Sequence, residues 1–152
     1  MLKNRLSWPK LRERDGAAMV EFAIGCSVLI MLVLGISEFG FLWYQKQVIT
    51  NASREGARYG VTYTTDSNGA RITPTNITTP YTIIQVVNNY CTNRIPTGSW
   101  STALSGAGLT TGTKGSPIVV TVTCTNQMDL LSGFIPSLRN ISLTAQTTMN
   151  CE

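Results

Sequence analysis

Few residues in this chain have the type and spacing to do chemistry. Glu21 stands alone at the head of a long apolar run, just after the small pair Gly16 and Ala17. A carboxylate at the start of a helix sits at the positive end of the helix dipole, where it is favoured. Glu38 is the only charge within residues 22–44. An acid at the centre of a membrane helix costs about 2.5–3.5 kcal/mol on insertion scales. Glu38 therefore needs an interfacial position, a reach toward Lys46, or a pairing between subunits. The other reactive side chains are four cysteines, and there is no histidine. Metal sites and nucleophile–base pairs that need imidazole are excluded. The cysteine spacings match no zinc pattern, which leaves disulfide pairing in an oxidising compartment. No enzyme, metal or cofactor is expected.

The elements that position these residues follow from composition. Charged residues make up only 13% of the 152-residue chain, about half the share usual in soluble domains. The tail carries Lys3, Arg5, Lys10, Arg12 and Arg14 against Glu13 and Asp15, so the excess positive charge sits mainly there. A nucleic-acid surface would carry its charge on the folded part, so the tail reads as topological and no nucleic-acid partner is expected. Residues 22–44 would span roughly 35 Å as a helix, enough for a hydrocarbon core of about 30 Å. The basic flank predicts a cytoplasmic N-terminus, with the remainder in the periplasm or beyond. An ordinary signal peptide fails on order, because its small-residue cleavage site follows the apolar region.

The pattern beyond the span predicts an α+β architecture. Ile49, Ala52, Gly56 and Tyr59 share one helical face, opposite Lys46, Thr50, Arg54 and Arg58. A helix from Ala17 to about Tyr59 would run roughly 65 Å, with its outer third packed on the following domain. Residues 61–79 and 95–116 read as loops. Thr79-Pro80 opens a second, amphipathic helix over about residues 80–93, with Ile83, Ile84, Val87, Tyr90 and Cys91 in its stripe. Ile118, Val120, Val122 and Cys124 alternate with polar or outward positions, as do Ile141, Leu143, Ala145, Met149 and Cys151. These are two strands of a small antiparallel sheet with one buried face. In an antiparallel pair Cys124 and Cys151 lie at opposite ends, roughly 20–25 Å apart, beyond the ~7 Å Cα separation a disulfide allows. A helix running back along the sheet brings Cys91 to Cys151. The expected pair is Cys91–Cys151, with Cys124 the weaker candidate and a buried thiol. Between the strands, Leu130, Leu131, Phe134 and Ile135 make a connection too apolar to lie wholly in water; part should contact a partner.

The junction RDG-AAMVEF-AIGCSVLIMLVLGI resembles the processing site of type IV pilin-like proteins. In that class a membrane-embedded prepilin peptidase cuts after the glycine, here Gly16, and a glutamate is the fifth residue of the mature chain. Counting from Ala17, that residue is Glu21. Cleavage would free an amine at Ala17, which a neighbouring subunit could offer to Glu21 in a low-dielectric bundle. Glu21 and Phe22 are the expected assembly residues. The pieces GAAMVEFA, LGISEFG (34–40) and NASREGARYG (51–60) narrow the resemblance to the TadE-like family of the Tad/Flp pilus system. The ending ISLTAQTTMNCE fits more loosely.

The resemblance implies a minor pilin, or pseudopilin, needed to build an adhesive pilus. Residues 1–16 would be a cleaved cytoplasmic leader, 17–60 the pilin-like helix, and 61–152 a periplasmic or extracellular domain. The implied partners are the prepilin peptidase, other Tad pilins, the inner-membrane assembly platform and the lipid bilayer. The alternative is a signal-anchored periplasmic binding module that stays outside any pilus.

Overall fold

The computed structural model describes residues 13–152 other than 63, 66, 71, 78–80, 96–97, 127–135 and 137–139; the side chains of 13–15 and 126 are also left aside. The chain divides into two compact units, Met1–Ser37 and Glu38–Glu152. Helix α1, Glu13–Val61, contributes to both. It contains no proline, so no turn of it lacks a backbone donor or clashes with the preceding carbonyl. Arg58 stands in its last turn, where the dipole favours a cation. Thr62 Oγ1 donates to the Arg58 carbonyl at 2.9 Å and satisfies one orphan acceptor of the helix end.

In the first unit, residues 16–37 of α1 are exposed or half-exposed over their whole circumference. Met19, Val20, Phe22, Ile24, Val28 and Leu29 are among the exposed side chains. A helix apolar on all sides belongs in a nonpolar solvent, and this one is long and apolar enough to cross a membrane. Its hydroxyls suit that setting. Ser27 Oγ donates to Ala23 O at 2.8 Å and Ser37 Oγ to Val33 O at 2.9 Å, so neither seeks water.

The second unit packs the C-terminal part of α1 with a small helix and a sheet. After a 3-10 turn at Pro74–Asn76 come α2 (Ile83–Thr92), β1 (Ser99–Ser105), the short α3 (Gly108–Thr111), β2 (Pro117–Asn126) and β3 (Ile141–Asn150). The sheet is antiparallel in the order β1-β2-β3. Ile118, Val120, Val122 and Cys124 of the central strand are all fully buried, as the alternation predicts. They meet Val48, Ile49, Ala52 and Ala57 of α1, and Ile83, Val87 and Cys91 of α2, in one core. Each such large apolar side chain contributes about 1.5–3 kcal/mol by leaving water.

Three expectations need correction. The 95–116 segment contains strand β1, whose inward positions are Trp100, Thr102 and Leu104. Only two of its seven residues are large and apolar, so the strand exists because β2 offers it a ladder, from Ser99↔Thr125 to Ser105↔Val119. Gly106 then turns the chain with φ 108°, where any Cβ would strike the Pro117 carbonyl. Helix α2 begins at Ile83, not at Thr79-Pro80, which lie outside the described residues. Its cap is Thr82, whose Oγ1 accepts from Gln85 N at 3.1 Å while Gln85 Oε1 accepts from Thr82 N at 2.9 Å. This reciprocal pair satisfies two donors at once. The buried stripe of α2 is also narrower than expected, with Ile84 exposed.

Candidate functional site

The sequence singles out the start of α1, and the structure places its residues on an open helix. Gly16, Ala17, Glu21 and Phe22 are all exposed, Phe22 at 75%. A Cβ added at Gly16 would meet nothing within 4 Å. The described backbone is already helical at Glu13, so the Gly16–Ala17 bond lies inside helical backbone rather than ahead of it. Glu21 makes no ion pair among the described residues. On one side of it Ala18 and Ala23 leave a shallow hollow between Met19, Phe22, Cys26 and Ile30.

Further along, the chemistry of α1 changes. Phe39 and Trp43 stack with ring centroids 6.4 Å apart, and Trp43 and Tyr44 are exposed. Amphipathic rings of this kind favour the headgroup level. Glu38 is half-buried just before them. From Leu42 onward one face is covered: Leu42, Gln45, Val48, Ile49, Ala52, Ser53, Gly56, Ala57 and Gly60 are buried. Ile49, Ala52 and Gly56 of the expected face are all in this set. Tyr59 completes it as a half-buried ring whose hydroxyl donates to Tyr81 O at 2.9 Å. On the far side Arg54 and Arg58 are exposed. Arg58 Nη2 meets Glu55 Oε1 at 2.8 Å, an i,i+3 pair along the exposed face. That hydrogen bond holds the Glu55 carboxyl below its ordinary pKa.

Several residues matter more than the sequence reading allowed. Gly56 and Gly60 are where α2 seats on α1. A Cβ at Gly56 would lie 2.6 Å from Val87 Cγ2, and one at Gly60 would lie 2.8 Å from Ile83 Cδ1. The signal was present as two glycines four residues apart on the buried face. Thr147 interrupts the apolar alternation of β3, so periodicity alone does not mark it. It faces inward on β3, where its hydroxyl and that of the fully buried Ser53 are 2.7 Å apart. Lys46, at the start of the opposite stripe, is half-buried, and its Nζ donates to the Thr144 carbonyl. Among the described residues strand β3 pairs with β2 alone, so this bond occupies an acceptor on a sheet edge.

The cysteines fall in different surroundings. Cys26 is half-exposed on the apolar part of α1, and Cys91, Cys124 and Cys151 are buried. Cys124 and Cys151 do lie at opposite ends of the β2–β3 ladder, in which Cys124 pairs with Leu143 and Pro117 with Asn150. Cys91 is not brought to Cys151. Helix α2 runs alongside β2 in the same direction, which carries Cys91 toward the Cys124 end. Burial pushes the Cys91 thiol up to about 11, and the nearby Cys124 adds to the shift against an opposing pull from Arg94. Leu130, Leu131, Phe134 and Ile135 lie outside the described residues.

Comparison with known proteins adds one match. Residues 16–58 match the family model described as TadE-like protein, the family that the sequence motifs resemble. The match starts at Gly16 and stays within α1. No curated protein and no solved structure matches the chain.

Proposed function

We propose that this chain, TadE-like over residues 16–58, is a minor pilin of a Tad-type pilus, cut after Gly16 by a prepilin peptidase. The observation that carries the reading is a coincidence of boundaries. The family match opens on the glycine at which, in the sequence, the charged tail gives way to the long apolar run. The positively charged tail keeps the N-terminus in the cytoplasm. The unit Glu38–Glu152 then lies outside, with Trp43 and Tyr44 at the outer membrane surface. Cleavage leaves the helix in the bilayer and exposes the Ala17 amine. Glu21, four residues on, is one helical turn from that amine in its own chain and equally open to the amine of a neighbour. In hydrocarbon an unpaired carboxylate is costly, so the pair sets the axial register of adjacent helices. The hollow beside Phe22 and Cys26 gives a neighbouring helix room to approach. The apolar sequence around Leu130, Leu131, Phe134 and Ile135 supports a further contact of part of that segment with a partner pilin, the rest covering the domain core.

The test is the mature N-terminus. The chain is expressed with its peptidase, recovered from membranes and sequenced by mass spectrometry. A product starting at Ala17 is expected. In the same strain a bulky replacement, Gly16→Leu, should hold the protein at precursor size. An uncut Met1 in the wild type would instead mark a signal-anchored module, and normal cutting of Gly16→Leu would refute the assigned site.

A further inference from the structure

Two buried thiols in the second unit serve no role in the reading above. Cys91 and Cys124 are each 0% exposed, one on α2 and one on β2. Three contacts fix how these elements lie. Cβ atoms built at Gly60 and Gly56 bracket the start of both: Gly60 faces Ile83 and Ile118, and Gly56 faces Val87 and Val120. One helical turn along α2 therefore matches two residues along β2, about 6 Å against about 6.6 Å. The next turn carries Cys91 to the region of Val122 and Cys124. The third contact ties this end directly. Trp100 Nε1 donates to Asn88 Oδ1 at 3.2 Å, Asn88 stands one turn before Cys91, and Trp100 is the cross-strand partner of Cys124. Cys151 is at the other end, where its Sγ faces Gly108 O at 3.8 Å and its amide donates to Ser116 O at 2.9 Å.

We propose that Cys91 and Cys124 form a disulfide that staples α2 to β2, with Cys151 left as a thiol. The proposal rests on the placement of this unit outside the cytoplasm, where disulfides persist. The oxidant is a protein disulfide donor of the dithiol oxidoreductase class. One cysteine thiolate attacks the donor's disulfide and forms a mixed disulfide, releasing one donor thiolate. The second cysteine thiolate displaces the donor. One S–S bond forms and one breaks, two electrons pass to the donor, and it departs as a dithiol. Burial of both sulfurs times this step. Exchange needs thiolate and access, so it precedes closure of the core; afterwards the same burial shields the bond from reductants. The bond closes a loop of roughly 30 residues that contains β1 and α3, the parts with the weakest local sequence signal.

Peptide mapping decides the matter, because trypsin puts each cysteine of this unit on its own fragment: 72–94, 115–139 and 140–152. The full chain in detergent micelles is reduced, unfolded, refolded in a glutathione redox buffer, alkylated and digested. The expected product is 72–94 joined to 115–139, lighter than the two reduced peptides by two hydrogens, with Cys151 alkylated. A join between 72–94 and 140–152, or alkylation of both Cys91 and Cys124, would overturn the proposal. Cys151→Ser should leave the link intact, and its loss in that variant would count equally against it. A parallel sample is alkylated in whole cells, and spheroplasts are treated with protease. A linked, protease-accessible unit supports the staple in the cell. An accessible but fully alkylated unit overturns it. A protected, alkylated unit overturns the topology on which it rests, even where the micelle sample is linked.

Discussion

Replacing Gly56 tests the packing of the second unit more sharply than any other single change. An alanine there gains about 1 kcal/mol of helix propensity. Its Cβ, however, would lie 2.6 Å from Val87 Cγ2, with Val120 at 3.5 Å and Ile83 at 3.6 Å. Valine is stiff at χ1 and Val87 is fully buried, so relief requires α2 to shift. Overpacking of this kind costs about 1–3 kcal/mol. The net loss for Gly56→Ala is therefore about 0–2 kcal/mol, and for a unit of this size each kcal/mol lowers the melting temperature by roughly 3–5 °C. Gly56→Leu should be far worse. Gly60→Ala makes an instructive contrast. Its Cβ meets Ile83 Cδ1 at 2.8 Å, the far end of a side chain that can swing, so the propensity gain should roughly cancel the contact. Gly25→Ala meets nothing within 4 Å and should leave the melt unchanged. The assay is near-ultraviolet circular dichroism of the full chain in micelles, which follows Trp100 in the packed unit. Adding Val87→Ala to Gly56→Ala should cost less than the sum of the two single changes. A Gly56→Ala protein melting above wild type would refute the close approach of α1 and α2.

Three further outcomes are expected. Glu21→Ala should be processed and inserted normally yet fail to support pili, checked by pilus counts at matched protein levels; normal piliation would remove the register role. Ser53→Ala should cost about 1–3 kcal/mol by stranding the Thr147 hydroxyl, whereas Ser53→Ala with Thr147→Val should recover most of it, as denaturant midpoints would report. The reduced unit should lose stability in alkali. An unfolded cysteine ionises near pH ~8.5, while Cys91 in the folded unit is pushed up to about 11. Folding thus favours the protonated thiol; that contribution is complete below the unfolded value and is lost as pH rises through the folded one. Denaturant midpoints compared between neutral and alkaline buffers should fall more for reduced protein than for protein carrying a Cys91–Cys124 disulfide, which has no proton to lose there.

The elements legible in the sequence were those whose own residues specify them. The apolar run before Trp43 needs no partner to be recognised as a span, and the alternation from Ile118 to Cys124 states its buried face outright. The elements that were not legible depend on something distant. Strand β1, with Ser99, Ser101, Ala103 and Ser105 on its open side, acquires its strand character from the ladder that β2 supplies. Thr79-Pro80 and Thr82-x-x-Gln85 are both start signals in the sequence, and the structure places the capping box of α2 at the second. The direction of α2 over the sheet cannot be read from periodicity. The stripe Ile83, Val87, Cys91 is the same whichever way the helix runs, so the cysteine pairing depends on a choice that the contacts at Gly56 and Gly60 and the Trp100–Asn88 bond resolve. At the start of α1 the reverse holds: the motif is legible, while the open helix around Glu21 adds little, because its proposed partner belongs to another chain.

The side-chain hydroxyls along α1 show how one helix meets two surroundings. Ser27 and Ser37 turn their hydroxyls back onto carbonyls of their own helix, as suits a stretch apolar enough to cross a membrane. Thr50 still does so, with Oγ1 donating to Lys46 O at 2.7 Å. Ser53 does both: its Oγ donates to Thr50 O at 2.9 Å and also meets Thr147 of β3. Lys46 reaches the same strand through Thr144. The polar groups of α1 that turn outward to the sheet thus begin after Trp43 and Tyr44, where the exposed aromatic side chains end. A lysine or a paired hydroxyl placed before that point would have to be satisfied in hydrocarbon. Placed after it, each fixes the sheet to the helix at a hydrogen bond's usual net gain of about 1 kcal/mol, more where the donor is charged. The order of residues along α1 therefore specifies both where the bilayer should end and where the folded unit is held.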